Sequence, residues 1–578
     1  MLAYLVRARS RWVRAGWTSG RSGLTLFAVC LVGMLLICPQ PLRAQARPDA
    51  GRILEGIRPP PPAPVTNPDA ALPPQEERPA MSGPASQSVV VRHWRITGAH
   101  AFPPEQLEAL IHEYRGQKLT LAELNEVARL ITSHYRQHGY MLSRAYVPAQ
   151  KIRDDTVEIA VIEGHLSSID VTNNSPVAGS LVTKHLEHLR RTGPVEGRNL
   201  SRSLLLLNDL PGVEVRSTLK PGAALGTSDL DIQVNSAHRF SGSVDADSYG
   251  NRFTGQYRGG GTLNFNDPLH YGDVLSLRAN SAGHGMNYGR LGYQVPLGGN
   301  GLKIGLAASE LQYRLGKEFV PLSAHGTAEV GTLWTAYQLV RTPYHNLALQ
   351  FTYNHKRLDD HIDATFTDIR KTVDVATLGM LGDWSDAVAG NAINVYSVDF
   401  MSGRLRLDPL AAAADQGPTG HQAQGRYYKL ALNYSRTQTL TSGVSLYMGL
   451  AAQTTNKNLD TSETQAIGGA YGVRAYPQDE GAGDDAAVLN IELRWSVPEI
   501  PEMELLTFAD AGIVRMNHKP LPTDTNNRRN LAGEGLGLQW VEPKRFALRT
   551  YLAWRAGPAP LTDSDRRPRI WLQFAQYF

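Results

Sequence analysis

Few side chains in this sequence stand at spacings that support bond-making chemistry. His134 and His138 lie four apart on a predicted helix, as two zinc ligands do, but no Glu-x-x-His arrangement or third ligand accompanies them, and a solvated helix face accounts for them better. Gly259-Gly260-Gly261 and Gly298-Gly299 lead into no helix and so form no phosphate cradle. No serine sits in a Gly-x-Ser-x-Gly elbow. Both cysteines, Cys30 and Cys38, fall within the first 46 residues, so removal of that segment leaves no thiol. The pattern is that of a protein that is not an enzyme and carries no catalytic residue, metal or cofactor. The formal net charge of +4 is small for 578 residues, and the basic residues are scattered, so no nucleic-acid partner is expected.

What remains is charge pairing. Asp510 shares the parity of Phe508 and Gly512, opposite Leu505, Thr507 and Ala509, in a segment of period two. A carboxylate on the inner face of a closed sheet needs a partner, and a guanidinium supplies charge-assisted, bidentate bonds. The residues alone leave its partner open between Arg474 in the longest loop and another lumen cation such as Arg494 on the preceding segment.

These groups must be positioned by a chain too long for one hydrophobic core. Residues 1–46 read as a secretory signal: Arg7, Arg9, Arg11, Arg14 and Arg21, then the apolar run Leu24 to Ile37, then the cleavage triplet Ala44-Gln45-Ala46. Residues 47–58 predict a short amphipathic helix. Its apolar face carries Ile53, Leu54 and Ile57; its polar face carries Asp49, Arg52, Glu55 and Arg58 and is suited to bond inside a lumen as a plug. Residues 59–86 are proline-rich and read as an extended tether. Residues 87–164 and 165–236 repeat one β-α-α-β-β order. In the first module Pro103 and Pro104 open a helix with Leu107, Leu110 and Ile111. Thr120 and Glu123 form a capping box for a second helix, which buries Leu121, Leu124, Val127, Ala128, Ile131 and Tyr135. Strands are expected at Tyr140 to Val147 and Thr156 to Glu163.

From residue 237 to 578 helical spacing disappears. Sixteen segments alternate apolar and polar residues, and an even count suits a closed antiparallel barrel whose average hydropathy is neutral. They run approximately 239–248, 253–265, 271–282, 287–296, 301–314, 329–341, 344–358, 367–384, 390–405, 423–438, 441–456, 485–498, 503–516, 530–542, 544–556 and 568–578. Tight turns are expected at Asn266-Asp267-Pro268, Thr342-Pro343 and Glu542-Pro543, and the longest loop spans 457–484. Phe574 and Phe578 close the last segment at the parity of Ile570 and Leu572, and this ending resembles the signal read by barrel-insertion machinery.

Gly472-Val473-Arg474-Ala475-Tyr476-Pro477 resembles the Val-Arg-Gly-Tyr/Phe signature of the superfamily of outer-membrane translocators that join periplasmic POTRA modules to a sixteen-stranded barrel. Phe508-Ala509-Asp510-Ala511-Gly512 is similar to its Phe-x-Asp-x-Gly strand motif, and Gly533 to Leu538 to the glycine-rich strand after it. Ala475 stands where glycine is usual and requires a negative φ. Signal, helix, tether and two modules together resemble the two-partner secretion transporters of the haemolysin secretion/activation family. The resemblance implies a mainly β fold with the barrel in the Gram-negative outer membrane and the modules in the periplasm. It implies that Val473, Arg474, Tyr476, Phe508, Asp510 and Gly512 anchor the loop in the pore, with Arg474 on Asp510. The implied partners are a secreted protein with a secretion-signal domain (haemolysin, adhesin or contact-inhibition toxin), outer-membrane lipids, and the insertion machinery during biogenesis. A barrel insertase of the same superfamily and a passive porin are the rival readings.

Overall fold

In the computed structural model of the chain, residues 47–57, 88–190, 193–224, 226–522 and 524–578 are described. The signal segment 1–46, the tether 59–86 and Arg58 lie outside the described residues.

The first module packs two helices on a three-stranded sheet. Strand β1 (Ser88–Val90) pairs with β3 (Lys118–Thr120), while β2 (His93–Thr97), β5 (Thr156–Ile162) and β4 (Arg144–Tyr146) lie side by side in that order, β2 parallel to β5. Helix α1 is Ala50–Glu55, ahead of the module; within it α2 is Pro104–Leu110 and α3 is Leu121–Gln137. The Thr120/Glu123 capping box opens α3. Leu107, Ile111, Leu124, Val127, Ala128, Ile131 and Tyr135 are buried, whereas Leu110 is exposed and Leu121 half-buried because both lie at the margin of the packed face. The expected strand 140–147 shortens to β4: after Gly139 at φ +92° the chain makes two turns, Tyr140 N–H donating to Tyr135 and Ser143 N–H to Tyr140.

Glu163 is buried in this module and accepts from the amides of His100 (2.7 Å) and Ala101 (2.7 Å) and from the Tyr135 hydroxyl (2.8 Å). Burial opposes its charge, but these donors outweigh burial and hold the carboxyl below its ordinary 4.5. A depressed carboxyl stabilises the fold above about pH 4.5, and the contribution is lost as pH falls through the folded-state value. The protection factors of the His100 and Ala101 amides against hydrogen exchange are therefore expected to fall as pH drops below 4.5. Glu163→Gln should lower the stability of this module by about 2 kcal/mol at pH 7; equal protection in the variant would refute this.

The second module repeats the plan: β6 (His165–Asn174), α4 (Gly179–Leu186), α5 (Gly197–Asn208), β7 (Val213–Pro221) and β8 (Thr227–Ser236), in sheet order β6-β8-β7. It is docked on the barrel's turns. Asp209 receives a bidentate pair from Arg341 (2.7 and 2.8 Å), and Arg202 donates to the carbonyls of Asn300, Gln338 and Leu339. Leu206 and Leu210 meet Gly301 and Gly272, where a β-carbon would crowd them. The anticipated tight turn at Asn266-Asp267-Pro268 is instead a loop, 267–273, folded around buried Asp273; its His270 carbonyl accepts from Ala178 of the module. Arg341→Ala is expected to weaken this docking by about 1–3 kcal/mol, seen as faster exchange of amides in 267–273 and 299–301.

Sixteen antiparallel strands, β9 (Phe240–Asp247) to β26 (Arg569–Tyr577) without β20 (Gln465–Ala466) and β21 (Ala482–Gly483), close into a barrel, with β26 pairing back to β9. The second strand begins at Arg258 and not at 253, because 250–257 form a loop in which Asn251 caps Phe253. The strands β14 (Ala324–Arg341) and β15 (His345–Ile362) run several residues beyond the alternating segments at the end away from the modules. Phe574 and Phe578 are exposed on the outer wall, and Phe578 exchanges backbone hydrogen bonds with Gly242.

Candidate functional site

The loop between β19 (Val444–Thr455) and β22 (Asp485–Val497) does not extend into solvent. It folds into the lumen around a small pair of strands, β20 (Gln465–Ala466) and β21 (Ala482–Gly483), and most of its residues are buried.

At its tip Arg474 is 3% exposed and Asp510, on β23 (Ile500–Arg515), is 1% exposed. Arg474 donates to Asp510 from its backbone N–H (3.0 Å), Nε (2.9 Å) and Nη2 (2.8 Å). Its Nη1 donates to Glu492 on β22 (2.6 Å), and Glu492 in turn accepts from Arg494 Nε (2.8 Å) and Nη2 (2.6 Å). Arg494, the alternative partner for Asp510, thus belongs to the same cluster through a different carboxylate. The Arg474 guanidinium lies 3.6 Å from the Phe508 ring centre and 4.9 Å from that of Tyr551, with geometry for cation–π attraction.

The backbone of the tip is held as well. Asn490 donates to the Gly472 carbonyl (2.9 Å), and Trp571 Nε1 to that of Arg474 (2.6 Å). Tyr476 donates to the Pro558 carbonyl (2.8 Å). Val473 packs against Gly512, where an added β-carbon would stand 3.0 Å from its Cγ2. Ala475 keeps a negative φ, and its β-carbon occupies the space left by Gly533, only 2.4 Å from where a side chain there would begin. Further along, Glu480 accepts from Leu561 (2.8 Å) and Thr562 (2.9 Å) and pairs with Arg529, while Glu463 is held by Lys356 (2.7 Å) and Lys429 (2.8 Å).

Helix α1 occupies the same lumen. Asp49 caps it, accepting from Arg52 N–H (3.0 Å), and pairs with Lys371 of β16 (Thr367–Asp386) at 2.6 Å. Lys371 also pairs with Asp460 of the loop (3.0 Å), and Thr461 donates to Asp49 (2.7 Å). Ala50 N–H donates to Asp360 (2.8 Å), and Arg52 donates to Thr464 (2.5 Å). Ile53 is buried against the wall, with Leu54 and Ile57 half-buried beside it; Glu55 is half-buried. The helix is therefore seated by its apolar face against an apolar stretch of the wall, through Leu311, Ala328 and Val373, as much as by its polar one.

Sequence reasoning missed Glu492, Lys371, Trp571 and the Glu463 and Glu480 clusters. Glu492 was visible in principle, since it shares the inward parity of Asn490 and Arg494. Lys371 carried no signal, because its partners Asp49 and Asp460 are remote in the chain.

Comparison with known proteins agrees with this architecture. Residues 226–540, more than half the chain, match the family described as haemolysin secretion/activation protein ShlB/FhaC/HecB, and residues 89–164 match the POTRA domain of ShlB type. The heme/hemopexin transporter protein HuxB of Haemophilus influenzae (strain 86-028NP) is 25% identical over 82% of this chain and 84% of its own. The outer membrane transporter CdiB of Dickeya dadantii is 22% identical over 79% and 81%. The solved structure of CdiB from Escherichia coli superposes with a TM-score of 0.69 at 19% identity, covering 88% of this chain and 95% of that one, which is a likeness of fold. The chain belongs to the haemolysin secretion/activation protein family and is a two-partner secretion transporter of the outer membrane, its POTRA modules in the periplasm.

Proposed function

We propose that the exported partner is a large protein with a secretion-signal domain, of the haemolysin, adhesin or contact-inhibition toxin class. The heme/hemopexin relative adds a heme-related cargo to that range. The modules capture the signal in the periplasm, helix α1 leaves the lumen as a plug, and the cargo passes along the loop that Arg474 anchors. Folding of the cargo outside supplies the drive, and no residue is assigned a catalytic role. Capture uses an edge of the second module's sheet, β6 or β7, for strand addition, where backbone groups bind and side-chain pockets select; on β4 of the first module Thr132 already bonds the outward N–H and C=O of Ala145. Outer-membrane lipids and the insertion machinery, the latter reading Phe574 and Phe578, are the further partners in this reading.

The observation that carries it is that α1 and the loop share one lumen and one set of charges, Lys371 bonding both Asp49 and Asp460. The test is secretion of the protein encoded beside this gene from cells carrying the wild type or a deletion of residues 87–236. Export by the wild type alone supports the proposal. Unaffected export with failed assembly of other barrels would replace it with an insertase role.

A further inference from the structure

The outer wall of the barrel carries charges that the fold does not use. Between β17 (Ala392–Leu407) and β18 (Gly425–Thr441), Phe400 stands opposite Leu430, Ser402 opposite Tyr428, and Arg404 opposite Arg426. Phe400, Leu430 and Tyr428 are exposed, and the Phe400 and Tyr428 rings stack at 6.1 Å. One rung beyond them, Arg404 and Arg426 face each other, both exposed, and neither side chain has a hydrogen bond, ion pair or ring contact among the described residues. Like charges directly opposite on paired strands destabilise the pair. Asp374, across from Arg404 on β16, is taken by Arg406 (2.5 Å), His355 (2.7 Å) and Tyr353 (2.9 Å). Arg357 extends the patch and touches Glu329 only at 4.0 Å. Asp374 and Glu329 thus leave Arg404 and Arg426 without a carboxylate.

Their height in the membrane follows from the strand. Trp384, Tyr396 and Tyr434 cluster on the outer wall near the periplasmic turns and mark the lower edge of the apolar band. Arg404 is eight residues further along β17 than Tyr396, about 26 Å of strand at 3.3 Å per residue. With a tilt near 40° this is roughly 20 Å of height, against an apolar band about 25 Å tall. Arg404 and Arg426 therefore sit at the upper rim of the band, where outer-leaflet headgroups begin.

We propose that Arg404 and Arg426, flanked by Arg406 and Arg357, bind the phosphate of a phosphorylated lipid of the outer leaflet, whose acyl chains lie along Phe400 and Leu430. A phosphate between the two guanidiniums replaces their repulsion with charge-assisted, bidentate bonds. The site is independent of the export reading.

The test uses the purified full chain in nonionic detergent, as wild type, R404Q/R426Q and R404E/R426E, with folding checked by heat-modifiable migration. The probes are diphosphorylated lipid A, the same lipid stripped of both phosphates, and inorganic phosphate; binding is read by native mass spectrometry. Wild type is expected to bind the diphosphorylated lipid at least tenfold tighter than the stripped one. The glutamine pair should lose that preference to within threefold, and it decides the matter if the glutamate pair does not fold. Equal preference in wild type and the glutamine pair, or none in wild type, overturns the site. Competition by inorganic phosphate at the lipid's concentration overturns the lipid as its occupant.

Discussion

Arg474→Ala is expected to reduce export at least tenfold and to make residues 456–484 sensitive to protease added outside the cell. The side chain makes three hydrogen bonds to two carboxylates that are themselves almost wholly buried. Removing one member of a buried pair costs about 3–5 kcal/mol, chiefly because the remaining charges stay buried without a partner. Asp510 and Glu492 would then face each other across the cavity, with only Arg494, Asn490 and the backbone N–H of residue 474 left to them. Lysine should rescue poorly: a single ammonium cannot bridge both carboxylates in the planar geometry of the guanidinium or lie flat on Phe508. Arg474→Ala with Asp510→Ala should be milder than Arg474→Ala alone, since the double change also removes the carboxylate left without a cation, while Glu492 keeps Arg494. Wild-type export and protease resistance in Arg474→Ala would remove the loop anchor from the mechanism.

How far the sequence reaches depends on the range of the interaction. The sixteen strands were legible because burial on a barrel wall repeats every second residue, and Leu505 and Asp510 fall on opposite faces by parity alone. Residues 250–257 are not legible as a loop because Phe253 and Tyr257 continue an alternating pattern, although the chain there turns inward over helix α1. The loop 267–273 looks in sequence like a tight turn because its docking surface, α4 and α5 of the second module, is remote in the chain. In the lumen, Asp510 announced the need for a cation, but the choice between Arg474 and Arg494 rested on resemblance. Geometry puts both in one cluster, each on its own carboxylate. The seat of α1 lay further out of reach, since an apolar patch on the inner wall looks in sequence like any other alternation.

That seat makes the second large effect predictable. Lys371 is the cation at the junction of Asp49 on the helix, Asp460 on the loop and Asp360 on the wall, at 2.6, 3.0 and 4.0 Å. Its side chain is 10% exposed, so the solvent screens these charges little. Lys371→Met keeps much of the packing volume and removes the charge, leaving three carboxylates around the first turn of the helix. Asp49 retains its bonds to Arg52 N–H and Thr461, which fix the cap but do not neutralise the charge. A shift of about 3 kcal/mol against the seated helix changes the ratio of seated to departed helix about 150-fold. Channel conductance in planar bilayers is therefore expected to rise severalfold in Lys371→Met, towards that of a chain lacking residues 47–57. Adding Asp49→Asn to Lys371→Met should return part of the closed population by removing the charge that the helix itself brings, and Asp460→Asn should do less because Asp460 does not travel with the helix. Conductance of Lys371→Met at the wild-type level, with the deletion clearly open, would mean that the apolar contact of Ile53 with the wall holds the helix and the charges only orient it.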